Sequence, residues 1–218
     1  MTDDGRRALL EGLSHELRAP LQTLLGHVDL LGSGAYGELN PEQSTAVASV
    51  QRSAERILGI ANDVLQIARI EAGNDEVTLD DVAIDELLAR EIDDAREAAD
   101  KKGLRLTLEC PKGLTVRTDG RKLARIVANL IGNAVKYTVE GGVTVRALDK
   151  TIEVADTGPG IPPDKHDVIF QAYVRLDRTQ PGTGLGLAIV SGLAAVLGAR
   201  VSVGSAPGGG TTIRVELA

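Results

Sequence analysis

Apolar residues in the first third of the chain recur at intervals of three and four. Between residues 6 and 72 they form two stripes, each spaced to fall along one face of an α-helix. The first stripe comprises Leu10, Leu13, Leu17, Leu21, Leu24, Val28 and Leu31, and the second comprises Val47, Val50, Ala54, Ile57, Ala61, Val64 and Ala68. The intervening "GSGAYGELNPEQ" predicts a loop, and Gly73 predicts the end of the second helix. The pattern therefore predicts an antiparallel helical hairpin.

A lone hairpin covers its apolar stripes poorly. Two hairpins paired in a four-helix bundle cover them better, and the second stripe has the seven-residue repeat of such bundles. We therefore expect a homodimer. The alternative is a helical pair that packs only on its own second domain.

From about residue 77 the pattern changes to short alternating runs mixed with helices. A strand that runs into a helix is predicted in "EVTLDDVAI", and further strands are predicted in "LRLTLEC", "LTVRT", "GVTVRAL", "TIEVAD", "RVSVGSAP" and "TTIRVEL". Helices are predicted at about residues 84–102, after Asp119 as N-cap, and in "GTGLGLAIVSGLAAVLG". The mixture predicts an α+β chain: a helical hairpin in residues 1–76 and a two-layer α/β sandwich in residues 77–218.

Charge and composition exclude some functions. The net charge of −7 argues against a general nucleic-acid-binding surface. A single cysteine, Cys110, and the absence of a signal-peptide pattern favour a reducing, cytoplasmic compartment. No apolar run approaches the roughly 20 residues of a membrane helix, so we expect no membrane contact within this chain. A longer parent sensor could carry such a segment upstream.

The sequence "SHELRAPL" places a polar pair beside the first apolar stripe. His15 points nearly opposite to that stripe, so it is not a core residue. Glu16 could hold one ring nitrogen and leave the other as a nucleophile. Pro20 removes a backbone donor and crowds the carbonyl of Glu16, which loosens the helix there. The simpler interpretation of His15 is a solvated surface histidine.

Three further segments carry candidate ligand-binding groups. Asn129, Asn133 and Lys136 share one helical face, where amide oxygens suit Mg²⁺ and an ammonium group suits phosphate. Asp156 ends an apolar strand before the turn "GPGIP" and could accept a hydrogen bond from an exocyclic amine. The glycines of "GTGLGLAI" precede a helix, where backbone N–H groups can approach phosphate. Each segment alone could be a surface helix or a turn.

Together, in this order, the segments resemble the catalytic core of the sensor histidine kinases of two-component signalling. "SHELRAPL" is similar to their phospho-acceptor box, "NLIGNAVKYT" to the asparagine box, "DTGPGIP" and "GTGLGLAI" to the two glycine boxes, and "IFQAYVR" to the phenylalanine box. The resemblance extends from about Arg6 to Leu217. It implies a protein that binds ATP and Mg²⁺, phosphorylates itself and donates the phosphoryl group to a response-regulator receiver domain.

The resemblance also implies roles for individual residues. His15 is the phospho-acceptor, Glu16 assists proton transfer from its ring, and Asn133 binds Mg²⁺. Asp156 holds the adenine amino group, and about residues 159–181 form a mobile lid over ATP. The remaining nucleotide-binding candidates are Asn129, Lys136, Tyr137, Gly158, Gly160, Ile161, Phe170, Arg175, Gly182, Thr183, Gly184, Leu185, Gly186 and Leu187, with Arg178 as a further cation in the lid.

Two positions depart from the family pattern. Many relatives carry Thr or Asn four residues after the histidine, where this chain has Ala19, so we expect weak or absent phosphatase activity. The phenylalanine box has Phe170 alone, with Tyr173 where a second aromatic residue could stand. Two alternatives remain: an ATPase of the gyrase, heat-shock-chaperone or mismatch-repair kind, and a non-catalytic dimerisation scaffold.

Overall fold

The chain divides into two compact units. The computed structural model describes residues 19–73, 75–177, 179–180 and 182–218. The first unit is Met1–Asn74 and the second is Asp75–Ala218. The predicted residues His15 and Glu16, the lid cation Arg178 and Pro181 lie outside the described residues.

The first unit contains two helices joined by a short loop. Helix α1 is helical from residue 19, the first described, to residue 32, and helix α2 is Pro41–Glu71. The side chain of Asn40 accepts a hydrogen bond from the backbone N–H of Gln43, and the Gln43 side chain accepts one from the N–H of Asn40. This reciprocal cap corrects the predicted loop, whose last three residues, 41–43, form the first turn of α2. Proline is well suited to that position because its missing N–H has no intrahelical partner there.

The two helices form a hairpin. Asp29 of α1 and Gln51 of α2 lie on opposite sides of the loop in sequence, and the Gln51 side-chain amide donates a hydrogen bond of 3.3 Å to the Asp29 carboxylate. The second apolar stripe is divided between two environments. Ala54 is buried, at 4% exposure, whereas Val50, Ile57 and Val64 are 48%, 53% and 41% exposed. One hairpin therefore leaves a column of β-branched side chains, one per heptad, in contact with solvent.

The second unit contains two sheets. Its strands are β1 (Asp80–Ala83), β2 (Arg105–Glu109), β3 (Thr115–Thr118), β4 (Gly142–Leu148), β5 (Thr151–Asp156), β6 (Arg200–Ser205) and β7 (Thr211–Glu216). Strands β1 and β3 form an antiparallel pair. The main sheet has the order β2-β4-β5-β7-β6, in which β2 and β4 are parallel and the other pairs are antiparallel. The strand that comes last in the chain thus lies between β5 and β6.

Three helices cover the main sheet: α3 (Ile84–Asp100), α4 (Gly120–Tyr137) and α5 (Gly186–Val196). Buried side chains alternate along the central strands, and the helical residues that meet them are almost fully buried, as with Leu123, Ile126 and Ile189 at 0% exposure. The predicted α+β sandwich is confirmed. Asp119 is the N-cap of α4, as predicted, and accepts hydrogen bonds from two backbone N–H groups. Helix α5 begins at the third of its three leading glycines.

The opposite face of the main sheet carries charged side chains in alternation. Four of these side chains occupy aligned positions on four adjacent strands: Glu109, Arg146, Glu153 and Arg214. Arg146 binds Glu109, and Arg214 binds Glu153, each with an Nε to carboxylate distance of 2.6 Å. These alternating charges favour the observed register, because a shift of one residue would place them among the buried apolar side chains.

Candidate functional site

The polar face of α4 lies against the glycine-rich segment that leads into α5. A Cβ at Gly186 would lie 2.9 Å from Asn129 Oδ1 and 3.5 Å from Asn133 Nδ2. A Cβ at Gly182 would lie 2.5 Å from Lys136 Nζ. The structure therefore brings together two segments about 50 residues apart, and glycine leaves room for polar side chains that any larger residue would displace.

Lys136 is held at the end of α4 by its neighbour. Its ammonium group donates to the hydroxyl of Tyr137 at 2.9 Å and lies 4.4 Å from the centre of the same ring. Both contacts fix a positive charge beside the glycine segment. This arrangement suits an anionic group next to Gly182.

Asp156 ends β5 and is only partly accessible to solvent. Its Oδ1 atom accepts hydrogen bonds from the backbone N–H of Gly158 at 2.8 Å and of Thr211 at 3.2 Å. Burial raises the pKa of Asp156, and the two backbone hydrogen bonds offset that rise only in part. Oδ2 accepts no hydrogen bond from a described residue, which leaves it available to a donor on a ligand.

The turn after Asp156 is shaped by close backbone contacts. Gly160 has a φ of +74°, and a Cβ there would overlap the carbonyl oxygen of Ala206. A Cβ at Gly210 would overlap the carbonyl oxygen of Asp156 itself. The glycine turn and the β6–β7 turn therefore pack backbone against backbone and build one wall of the site.

Sequence reasoning missed the contribution of this final hairpin. Ser205 Oγ accepts a hydrogen bond from the N–H of Ile161 at 2.7 Å and donates one to the carbonyl of Gly210 at 2.7 Å. Together with Thr211, Ser205 supports the turn around Asp156 from residues about 50 positions away. The signal in the sequence was the run of three glycines at 208–210, which is more than a hairpin turn requires.

The segment between the two glycine-rich sequences contains two short 3₁₀ helices, Pro163–Lys165 and Val168–Phe170. Phe170 is half-buried. Tyr173 has a φ of +66°, unusual for a residue with a side chain, and its N–H donates to the carbonyl of Gly184 at 3.0 Å. Arg175 is half-buried and its guanidinium group donates to the carbonyl of Gln180. The Tyr173–Gly184 hydrogen bond closes the base of a loop that contains Arg175.

The last candidates lie where the loop meets α5. Thr183 Oγ1 accepts a hydrogen bond from the N–H of Leu185 at 3.3 Å. The Leu185 side chain is 1% exposed and belongs to the core, so a ligand at this position meets its backbone. Leu187 is half-buried on the first turn of α5. The three glycines at 182, 184 and 186 thus alternate with Thr183 and Leu185, whose side chains anchor the segment.

The two side-chain amides beside Gly186, those of Asn129 and Asn133, suit a hard cation whose remaining ligands are water and phosphate oxygens. Amide oxygens are acceptable ligands for Mg²⁺, which retains several waters and binds phosphate oxygens in nucleotide sites. Among the described residues, no group of three or more His, Cys, Asp or Glu side chains is placed to hold a metal ion. The amides of Asn129 and Asn133 therefore fit a magnesium ion that arrives with a nucleotide.

These features define a class of protein. The second unit combines three features: a carboxylate at a strand end, a helix with an Asn-Asn-Lys face and a glycine segment that opens a second helix. This combination defines an ATP-binding domain. The model of the histidine kinase-, DNA gyrase B-, and HSP90-like ATPase family matches residues 118–218. The model of the His Kinase A (phospho-acceptor) domain matches residues 5–73.

Individual relatives point to the same family. The chain is 37% identical to an uncharacterized sensor-like histidine kinase of Rhizobium meliloti, over 99% of this chain and 43% of that protein. It is 34% identical to the histidine protein kinase DivJ of Caulobacter vibrioides, over 98% of this chain and 37% of that protein. The crystal structure of full-length ShkA in complex with AMPPNP matches with a TM-score of 0.81 and 37% identity, over 96% of this chain and 45% of that chain. The chain belongs to the sensor histidine kinases.

The chain spans less than half the length of these relatives. In the part of the chain that the structure describes, no helix is both long and apolar enough to cross a membrane.

Proposed function

We propose that this chain is an ATP-dependent autokinase that phosphorylates its own His15 and passes the phosphoryl group to an aspartate of a response-regulator receiver domain. The observation that carries the proposal is the convergence of Asp156, the Asn129–Asn133–Lys136 face and Gly182–Gly186 on one site, in a chain that also matches the phospho-acceptor domain.

The residues of the second unit bind and orient ATP. Asp156 Oδ2 accepts a hydrogen bond from the adenine amino group, and the turn at Gly158, Gly160 and Ile161 gives the flat base its space. Lys136 and the backbone N–H groups of 182–186 contact the phosphates, where helix N-termini favour anions. The surroundings of the nucleotide are completed by four further residues: Tyr137, Phe170, Arg175 and Leu187.

Asn133 binds the magnesium ion, with Asn129 beside it. When bound, the ion neutralises charge on the phosphate oxygens. The protein's part in such a transfer is positioning and electrostatic stabilisation, because little covalent chemistry is left for it to do. At the acceptor, Glu16 accepts the proton from one nitrogen of His15, which leaves the other nitrogen free to attack the γ-phosphorus. The bond from that phosphorus to the β,γ-bridging oxygen breaks and ADP leaves.

The two parts of the chain divide the work. Residues 1–76 form the dimerisation and phosphotransfer hairpin, and residues 77–218 form the catalytic ATP-binding domain. A homodimer covers the exposed column of Val50, Ile57 and Val64 in a four-helix bundle. We place the reaction in the cytoplasm, where ATP is available and Cys110 stays reduced.

The test is incubation of the purified chain with γ-labelled ATP and Mg²⁺. Acid-labile label on the protein is expected, and His15→Gln should abolish it while leaving ATP binding nearly intact. His27, an exposed histidine on α1, provides the matched control, and His27→Gln should retain the label. Release of free phosphate without protein label would indicate an ATPase, and neither product would indicate a scaffold. Acid-labile label that persists in His15→Gln would exclude His15 as the acceptor.

A further inference from the structure

The side chain of Lys102 reaches from the turn after α3 to the end of α4. Its ammonium group donates hydrogen bonds to the carbonyl oxygens of Val135 at 2.8 Å, Lys136 at 2.6 Å and Thr138 at 3.2 Å. Lys102 as a residue is solvent-exposed, so it fills no space in the core. A lysine in such a position ordinarily extends into water, whereas here all three donors of the ammonium group converge on one helix end.

The end of α4 needs such a partner. The last carbonyls of a helix have no intrahelical donors, and many helices satisfy them through a following glycine. Here the carbonyl of Ala134 accepts the N–H of Thr138, but Thr138 is extended and Val139 follows it. Lys102 supplies the missing donors for Val135 and Lys136. Its positive charge also lies at the negative end of the helix dipole.

Two sides of the nucleotide site depend on this helix end. Lys136 lies against Gly182 on the phosphate side. Thr138 is fully buried on the adenine side, where a Cβ at Gly158 would lie 3.5 Å from its hydroxyl and 2.8 Å from Asp156 Oδ1. Lys102 binds the backbone of both Lys136 and Thr138, and therefore fixes the two sides relative to each other.

We propose that Lys102 is a positioning residue for ATP. Lys102 itself contacts neither the base nor the phosphates. It acts by holding the end of α4, so that Lys136 keeps its position relative to the place where Thr138, Gly158 and Asp156 meet. The inference rests on the proposed function, since it concerns the same site.

The experiment compares three variants of the full chain with the wild type. Lys102→Met removes the donors but keeps the aliphatic stem, and Lys102→Arg restores a cation with several donors. Lys101→Met is the matched control, because Lys101 is the adjacent residue, its side chain is 72% exposed and it pairs with Glu97 of α3. Each variant is titrated with a fluorescent ATP analogue, assayed for autophosphorylation over a range of ATP concentrations and melted thermally without nucleotide.

Loss of positioning has a specific signature. Lys102→Met should raise the Kd for the analogue and the KM for ATP by about three- to tenfold, with a smaller change in the rate at saturating ATP. Lys102→Arg should recover most of the affinity, and Lys101→Met should match the wild type. Lys102→Met that melts at a lower temperature yet binds with wild-type Kd overturns the inference.

Two further outcomes separate the possible failures. If Lys102→Met does not fold, Lys102→Gln keeps a neutral donor and is titrated in its place, and a wild-type Kd there also overturns the inference. If the wild-type chain binds no nucleotide, the proposed function fails together with the inference. Wild-type binding with an unchanged Kd in the variant overturns the inference alone.

Discussion

Asp156 is placed where its own negative charge is unfavourable. Burial raises its pKa, and the N–H groups of Gly158 and Thr211 compensate only in part. Because the folded chain holds this proton more readily than the unfolded chain, the free energy of unfolding falls as the pH rises from the unfolded pKa through the raised folded pKa. The ionised carboxylate therefore reduces the stability of the nucleotide-free protein at neutral pH.

Asp156→Asn should therefore weaken nucleotide binding without lowering the stability of the nucleotide-free protein. The amide oxygen can keep both backbone hydrogen bonds, but the amide nitrogen would face the adenine amino group. Nucleotide affinity should fall at least about tenfold, the equivalent of a lost charged hydrogen bond of about 1.5–3 kcal/mol. The melting temperature without nucleotide should not fall.

The wild type should show a related pH dependence. As the pH is lowered, its affinity for nucleotide should decline at a higher pH than it would with an aspartate of ordinary pKa. Titrations with a fluorescent ATP analogue across pH, alongside thermal melts, check all three expectations, and unchanged affinity in the variant would place adenine elsewhere.

Ala19 concerns a second activity. Removing a phosphoryl group from a regulator's aspartate requires a positioned water, and a Thr hydroxyl or Asn amide can orient one. Ala19 lies one helical turn after His15 in sequence, about 40° around an ideal helix, and its methyl group can orient nothing. We expect weak or absent phosphatase activity, and Ala19→Thr should create it.

The assay incubates purified phospho-regulator with this chain and ADP and follows the acyl phosphate. His15→Gln serves as the background that prevents back-transfer. Rapid loss of the acyl phosphate with Ala19 present in that background would contradict the expectation.

At the scale of elements, the start of α4 is tied to the segment that begins the second unit. Lys122 Nζ lies 3.1 Å from carboxylate oxygens of both Asp75 and Asp119, and it donates to the carbonyl of Glu76 at 2.7 Å. Asp119 also accepts the N–H of Thr78. Burial alone would raise the pKa of Asp119, but these hydrogen bonds and the lysine charge together lower it. Burial would likewise lower the pKa of Lys122, and the two carboxylates together raise it.

Lys122→Met should destabilise the second unit by about 2–4 kcal/mol, because it removes the ammonium group that two largely buried carboxylates, those of Asp75 and Asp119, both bind. A group with a lowered folded pKa stabilises the fold above its unfolded pKa, and that contribution is lost as the pH falls through the folded pKa. The Asp119 contribution in the wild type should therefore disappear on acidification, and the variant should show a weaker loss over the same range. Denaturant unfolding at several pH values measures both effects. Arg121→Met, which removes an exposed cation at the adjacent position, is the control, and an equal loss there would argue against the buried cluster.

The elements themselves were largely predictable, since apolar periodicity and the Asp119 cap are local properties of the sequence. The capping box of Asn40 and Gln43 was also present in the sequence, but the neighbouring glycines suggested a longer loop. What could not be predicted were contacts made by single long side chains across the fold, such as Lys102 and Lys122. The support of Asp156 by Thr211 was equally hidden, because it depends on the position of β7 in the sheet and not on any local pattern.

At the scale of the whole molecule, the exposed column on α2 predicts the oligomeric state. Light scattering of the full chain should give the mass of a dimer, and Ile57→Glu should shift it toward the monomer by placing a charge in the bundle core. Leu148→Glu is the control, because Leu148 is 65% exposed in the second unit, and this variant should remain dimeric. A monomeric wild type at micromolar concentration would contradict the prediction.

The position of β7 has a consequence for synthesis. A ribosome makes β5 and β6 before β7. Strand β5 can already pair with β4, but β6 has no neighbour in the sheet other than β7 and cannot join the sheet until β7 pairs between them. During that interval a nascent chain exposes the unpaired edge of β5, which is a site for wrong association. Asp156 lacks its hydrogen bond from Thr211 for the same period. The proposed adenine site at Asp156 is thus completed only when β7 pairs with β5, and until then the nascent chain carries an exposed strand edge.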